Sequence, residues 1–462
     1  MTHPLRPLSW APAPAQAPPA SQAATEPDRR WDFLLVCLAA YVLTSVGRIH
    51  QLFAWLEPLH LILVFAGLAL VLYATDGKRT RRLQPVLRDR TTRCVLALLL
   101  WTALSIPGAL WPGGAFVELT DEFGKAAIMY VVLAGALRGF RDVERIAFTY
   151  MLSVGIYAAV VLSRYGVGQS QWRLASLVYY DANDFATLAV IALPLAVYFT
   201  VRPGPAWRRL TSVVAAVLLV IAFVWAGSRG GFLALLAIGL FLLLRYRAVH
   251  PGWRILVTAL MVAVFCATAT DTFWDKMKTI LHPKDDYNLT TEEGRVEVWK
   301  RGISYMLQRP VFGVGAGNFP TAEGTISPMA REAARRGVKW SVAHNSYVQT
   351  GAELGVPGLI FFLLLLVTAF GSLRAVQHAR LPIQPGERGP PQAQLAQVLT
   401  AALLGFVVGA FFLSLADRDL LYVLLALCAA LRRVTSPVGL VPGAPLRAFP
   451  WPHQACSSAS LP

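Results

Sequence analysis

Apolar runs of similar length recur along this chain, separated by short polar interruptions. They fall near residues 32–48, 52–74, 93–111, 119–137, 146–164, 182–201, 210–227, 230–248, 253–270, 344–372, 395–415 and 419–432. A bilayer core about 30 Å thick takes roughly 20 apolar residues per helical crossing. The pattern predicts an all-α polytopic membrane protein with about 12 transmembrane helices. The expected organisation is a disordered tail at 1–30, transmembrane helices 1–9 over 31–270, a long external connection at 271–343, transmembrane helices 10–12 over 344–432, and a second tail at 433–462. Residues 1–30 are rich in Pro and Ala and carry no apolar core ahead of a cleavage site, so they read as a tail and not as a signal peptide. Residues 381–391 read as a linker. No internal repeat is visible.

Composition agrees with this class. Hydrophobic residues make up 56% of the 462 and charged residues 15%, against about 25% charged in soluble domains. An ordinary soluble enzyme is excluded. The basic residues are placed unevenly: Lys78, Arg79, Arg81, Arg82, Arg88, Arg90 and Arg93 fall in one even-numbered connection, Arg138, Arg141 and Arg145 in the next, and Arg202, Arg208 and Arg209 in the third. The short odd connections are nearly free of Lys and Arg. This positive-inside pattern puts both termini in the cytoplasm. The net charge of +16 then reflects topology and affinity for membrane lipids of the anionic inner leaflet, and no nucleic acid partner is expected. The five cysteines are scattered, with neither a disulfide framework nor zinc spacing.

The connection 271–343 differs from the others. Thr290 to Glu293 fits a capping box, Val296, Trp299, Ile303 and Met306 follow at helical spacing, and Arg309-Pro310 ends the run. Ser327 and Pro328 announce another helix, with Gly337 beyond it. A long ordered loop is a usual home for function. The ionisable residues of the apolar runs all map to the outer half: Glu57 and His60, then Asp121, Glu122 and Lys125, Asp181 and Asp184, Glu353, and Asp417, Arg418 and Asp419. Buried charges in membranes are expensive and usually functional. Their placement predicts a polar cavity open to the outside, and it differs from the full-depth distribution of an ion or proton path.

Three side chains in that half have chemistry that stands out. Arg229 sits among glycines at the start of a helix (Gly227-Ser228-Arg229-Gly230-Gly231), a setting suited to phosphate; the competing reading is an Arg reaching for the interface. Arg295 lies in the first turn of the loop helix, where its charge opposes the helix dipole and local stability does not explain it. His344, in Val342-Ala343-His344-Asn345-Ser346, precedes a helix whose dipole disfavours the imidazolium, which suits a general base. Gly313-Val314-Gly315-Ala316-Gly317-Asn318 looks like a nucleotide loop but has no strand in front, so it is read as a tight turn near the membrane. Asp417-Arg418-Asp419 is read as a salt-bridged element and not as a metal site, and no metal or other cofactor is expected. Asn288-Leu289-Thr290 is a formal glycosylation sequon that nothing else supports.

His344-Asn345, nine intervening residues, then Gly355-Val356-Pro357-Gly358 resembles the signature of the O-antigen ligase family, within the superfamily of O-antigen polymerases and protein O-oligosaccharyltransferases. Gly294-Arg295, Trp299, Arg309 to Gly315 and Asn318-Phe319 resemble the superfamily's loop helix and turn. So do Gly227 to Gly230 and the stretch from Arg173 to Asn183. The resemblance spans about residues 31–432. It implies a membrane glycosyltransferase of the Gram-negative inner membrane, with a periplasmic active site and a periplasmic helical loop. Its donor would be an undecaprenyl-pyrophosphate-linked glycan and its acceptor a sugar hydroxyl of lipid A-core, without metal or nucleotide. In that reading His344 is the base and Arg229 and Arg295 hold pyrophosphate, with Lys125, Arg173, Asn183, Asn345, Asp417 and Asp419 as possible supporting residues. The family's carboxy-terminal Asp could be either Asp417 or Asp419. A polymerase, a protein oligosaccharyltransferase and, in a different class, a transporter of the lipid-linked glycan are the rivals.

Overall fold

Capping side chains and proline decide where the apolar runs become helices. The structure, a computed structural model, describes residues 31–164, 180–282, 291, 293–332, 340–383 and 388–436, and among these no strand occurs. Helix α1 (Phe33–Ser45) starts where Asp32 accepts from the Leu35 amide at 2.9 Å. It stops short of the expected boundary because Arg48 adopts a left-handed φ of 46°. The expected second crossing is broken into a short α2 (Ile49–Leu52), a 3-10 turn (Ala54–Leu59) containing Pro58, and α3 (Leu61–Thr75), with His60 left-handed at the join. Basic helix α4 (Arg79–Arg88) and α5 (Arg90–Ser105) follow, the latter capped by Asp89. Next, α6 (Pro112–Val117), a π-helical turn (Glu118–Phe123) and α7 (Gly124–Ala136) run on without a break.

Helices α8 (Phe140–Arg164), α9 (Ala182–Val201), α10 (Ala206–Ala226), α11 (Arg229–Arg245) and α12 (Pro251–Thr268) continue the bundle. The connection expected to fold outside holds α13 (Asp271–Lys278), α14 (Arg295–Gln308), α15 (Phe319–Thr325) and α16 (Pro328–Glu332). Finally come α17 (Ser346–Gln377), α18 (Pro391–Gly409) and α19 (Asp419–Thr435). Two capping expectations meet different outcomes. Ser327 does cap α16, accepting from the Ala330 amide at 3.0 Å. The α14 cap, however, is Gly294 with no side-chain bond, so the expected box at Thr290 to Glu293 does not start this helix. Thr290 itself, Asn288 and Gly337 lie outside the described residues.

Eight of the described helical segments are long and apolar enough to cross a membrane. The other expected crossings fall on α1 and α7, of 13 residues each, and on α11 and α19, of 17 each; length and composition therefore establish eight and not about 12. Helix α9 is the hub, packed by α8, α10, α11 and α18, with Phe185, Ile191, Leu195 and Tyr198 fully buried. Helix α12 lies at the edge, where Phe265 alone is buried and Trp253, Ile255, Leu260 and Val262 are exposed. Such an apolar outer surface suits lipid contact.

The two ends of the bundle differ in chemistry. At one end the arginines are matched by carboxylates: Arg138 pairs with Asp32 and with the buried Asp142 at 2.9 Å, and Arg202 meets the buried Glu144 at 3.0 Å, where Tyr198 also donates at 2.6 Å. Arg433 donates to the carbonyls of Ala134 and Leu137. At the other end, the starts of α11, α14, α17 and α19 converge.

Candidate functional site

Helix α17 begins at Ser346, capped by Asn345, whose Oδ1 accepts from the Tyr347 and Val348 amides at 3.0 and 3.1 Å. His344 therefore stands just ahead of the cap, at the helix N-terminus where the sequence reading put it. It is half-buried, and its φ of 46° puts it among left-handed residues, an arrangement that costs about 1–3 kcal/mol for a non-glycine and gathers at functional positions. Trp299 of α14 holds the preceding residue in place, its Nε1 donating to the Ala343 carbonyl at 2.9 Å.

Both arginines singled out from the sequence open helices. Arg229 is the first residue of α11, after the left-handed Gly227 that ends α10 and the Ser228 cap. Its Nη1 donates to Thr279 Oγ1 at 2.7 Å. Arg295 is the first residue of α14, and its Nη1 donates to the carbonyl of Phe412 at 3.3 Å. Phe412 also lies against the start of α11, because a Cβ on Gly230 would come within 2.7 Å of its side chain. The two arginine-bearing helix starts thus meet at one residue, although far apart in sequence. Two helix N-termini meeting in this way, each opened by an arginine, make a setting for a polyanion.

The segment bearing Phe412, between α18 and α19, is stapled to α17. Ser346 Oγ donates to the Leu413 carbonyl at 2.7 Å and accepts from the Leu415 amide at 2.9 Å, while the Ser346 amide donates to the Ala410 carbonyl at 2.8 Å. Farther along, the two aspartates part. Asp419 accepts from Tyr41 Oη at 3.1 Å and lies 3.6 Å from Arg48, which ties α19 to α1. Asp417 instead faces the space below Ser346, close to Glu118. Arg418 spans Glu122 and Asp417 at 3.4 and 3.7 Å. Asp184, in the first turn of α9 beside Asn183, lies within electrostatic reach of Arg295 and Arg418. Lys125 is not brought to this cluster; it bridges Asp121 at 2.8 Å on an exposed surface. Arg173 lies outside the described residues. Among the described residues, no three His, Cys, Asp or Glu side chains are placed to hold a metal ion.

The glycine-rich turn after α14 attaches the connection to the membrane helices. Helix α17 is interrupted at Gly355, with φ 69° and ψ −171°, a conformation essentially restricted to glycine. Around that break the Val314 amide donates to the Ala352 carbonyl at 2.9 Å, Gly315 to the Glu353 carbonyl at 2.9 Å, and Val356 to the Pro310 carbonyl at 2.8 Å. The Glu353 carboxylate accepts from the Gly317 and Phe319 amides, both at 3.1 Å. Trp101 of α5 donates to the Leu354 carbonyl at 2.9 Å. The first glycine of the spaced signature is therefore the point where the turn grips the helix. A second clasp holds α14 to α15: Arg301 Nη2 meets Glu323 at 2.6 Å, and Tyr305 Oη donates to the same carboxylate at 2.8 Å. Burial, with Glu323 beside it, pushes the Tyr305 phenol well above its ordinary value, and the hydrogen bond to Glu323 raises Arg301.

Several residues of this end were not singled out by the sequence, namely Arg48, Glu118, Ser346, Gln349, Thr350 and Ser414. Only Glu118 left a signal, as a carboxylate at the edge of an apolar run. A family model described as O-Antigen ligase matches residues 214–363, a stretch that contains Arg229, Arg295, His344, Gly355 and Gly358. No curated protein sequence matches the chain. The match supports the O-antigen ligase family for this stretch, and with it a multi-pass membrane enzyme acting on lipid-linked glycans.

Proposed function

We propose that this protein is an O-antigen ligase, transferring a polysaccharide from undecaprenyl pyrophosphate to a sugar hydroxyl of lipid A-core on the periplasmic side of the inner membrane. The observation that carries the reading is the meeting of the helix starts that bear Arg229 and Arg295 at Phe412, with Ser346, two residues after His344, bonded to the neighbouring Leu413; Arg229, Arg295 and His344 all lie within the stretch matched by the ligase family model. In the proposed reaction His344 takes the proton of the acceptor hydroxyl. The oxygen attacks the anomeric carbon, and the bonding pair of the carbon–oxygen bond to pyrophosphate leaves with the undecaprenyl pyrophosphate. Arg229 and Arg295 would bind that pyrophosphate and meet the charge that grows on it, a task suited to planar, permanently charged guanidiniums. With no carboxylate as nucleophile, one displacement inverts the anomeric centre. The bundle's basic end would face the cytoplasm, and about 12 crossings would place the cluster outside.

The test is a strain carrying His344→Ala as its only copy. Removal of a general base typically costs 10²- to 10⁴-fold in rate. A ligase defect leaves lipid A-core bare while long glycan accumulates on the carrier. Core bearing a single repeat unit would instead identify a polymerase, carrier-linked glycan confined to the cytoplasmic face a transporter, and full-length O-antigen on core would remove His344 from the mechanism.

A further inference from the structure

Below Ser346 lies a chamber of about 50 Å³, lined among others by Glu118, Gln349, Thr350, Ser414 and Asp417. At about 10–15 Å³ per water-sized position, it holds about three to five such groups. Its walls leave polar atoms unanswered. Thr350, 6% exposed, adds a hydroxyl-bearing side chain to the lining. Gln349 Oε1 and Ser414 Oγ are buried without a partner. The Glu118 and Asp417 carboxyls lie side by side on its wall. Glu118 is aimed there by the π-helical turn it opens, a device frequent at functional sites. It packs over Gly317, where a Cβ would stand 3.2 Å from its carboxylate.

Buried polar groups are almost always satisfied, so two orphans facing one chamber call for a ligand or ordered water. The wall chemistry narrows the choice. Carboxyls repel phosphate, and no three-carboxylate group placed for a cation occurs among the described residues. Hydroxyls, an amide oxygen and a carboxyl pair together donate and accept, which matches groups that do both, the hydroxyls of a sugar. Position points the same way. The segment Ala410 to Asp417 turns the Phe412 carbonyl toward Arg295 and sets Ser414 and Asp417 against the chamber. Basic and acidic compartments therefore share one wall, and His344 sits two residues from Ser346, which lines the chamber.

We propose that this chamber binds the hydroxyl edge of the acceptor sugar, a neutral polyol site apart from the arginines. The proposal rests on the ligase reading. Thr350→Val keeps shape and removes a hydroxyl from the lining; Asp417→Asn removes a carboxylate from it. Binding of delipidated core oligosaccharide to the full-length protein in nanodiscs, followed by saturation-transfer NMR, should weaken about three- to tenfold in Thr350→Val and more in Asp417→Asn. The KM for the acceptor should rise in step while the KM for the lipid-linked donor stays within about twofold. Unchanged acceptor KM in both variants, or a raised donor KM with acceptor binding intact, overturns the proposal. If oligosaccharide binds through these residues but no glycan is transferred from the donor, the chamber stands and the ligase reading falls. Transfer with no effect of either substitution on acceptor binding does the reverse.

Discussion

Replacing Gly355 with alanine should loosen the attachment of the outer connection by a calculable amount. Alanine at φ 69°, ψ −171° carries about 1–3 kcal/mol of backbone strain. Its methyl would also lie 2.4 Å from the Val311 carbonyl oxygen and 2.5 Å from that of Pro310, roughly 1 Å inside ordinary contact, and overpacking of this kind costs about 1–3 kcal/mol. The turn can escape only by moving off the helix, which gives up the Val356 to Pro310 bond. Taking the lower limits together, the docked state loses at least about 2 kcal/mol, or about 30-fold in the opening equilibrium. Hydrogen exchange of the full-length protein in nanodiscs reads this directly, as faster exchange in peptides covering 310–319 and 350–358. Gly371→Ala is the control, since a Cβ there meets nothing within 4 Å and the substitution should be neutral or mildly stabilising. Exchange in Gly355→Ala no faster than in the control would refute the geometric argument.

Arg229→Lys and Arg295→Lys should each lower kcat/KM at least about tenfold, because a point charge cannot make the bidentate contacts of a guanidinium; steady-state kinetics with a lipid-linked donor check this, and full activity in either variant would remove that residue from the pyrophosphate site. A cysteine placed at Asp286 should react with a membrane-impermeant reagent in spheroplasts, whereas one placed at Arg81 should react only after permeabilisation. The opposite pattern would invert the orientation.

Much of the bundle was legible because apolar length and capping are local properties. Ser327 starts the helix that the sequence reading assigned to it, and Asp32, Asp89, Ser228 and Asn345 likewise cap helices with short polar side chains. The errors came where backbone conformation overrode the pattern. Left-handed His60, with Pro58 just before it, broke the run expected at 52–74, and left-handed Arg48 cut short the one expected at 32–48. At the site, helix-start arginines and the spaced glycines were readable because their roles follow from neighbours in sequence. The division of labour between Asp417 and Asp419 was not, since it depends on which distant helix each one faces, Glu118 for one and Tyr41 with Arg48 for the other. Thr350 and Ser414 gave no signal at all, being ordinary small polar residues until packing isolates them.

Main-chain atoms do most of the work where the glycine-rich turn meets α17: the partners are the amides and carbonyls of Pro310, Val314, Gly315, Ala352, Glu353 and Val356. Such a junction is nearly blind to side-chain identity. Glycines at 313, 315 and 355 must stay, as each would otherwise drive a methyl into a neighbour, and the Trp299 and Arg295 contacts stay with them. Exposed positions of α14 such as Ile303 and Leu307 take no part in that joint, so a lineage could retune this exposed face while inheriting the same socket.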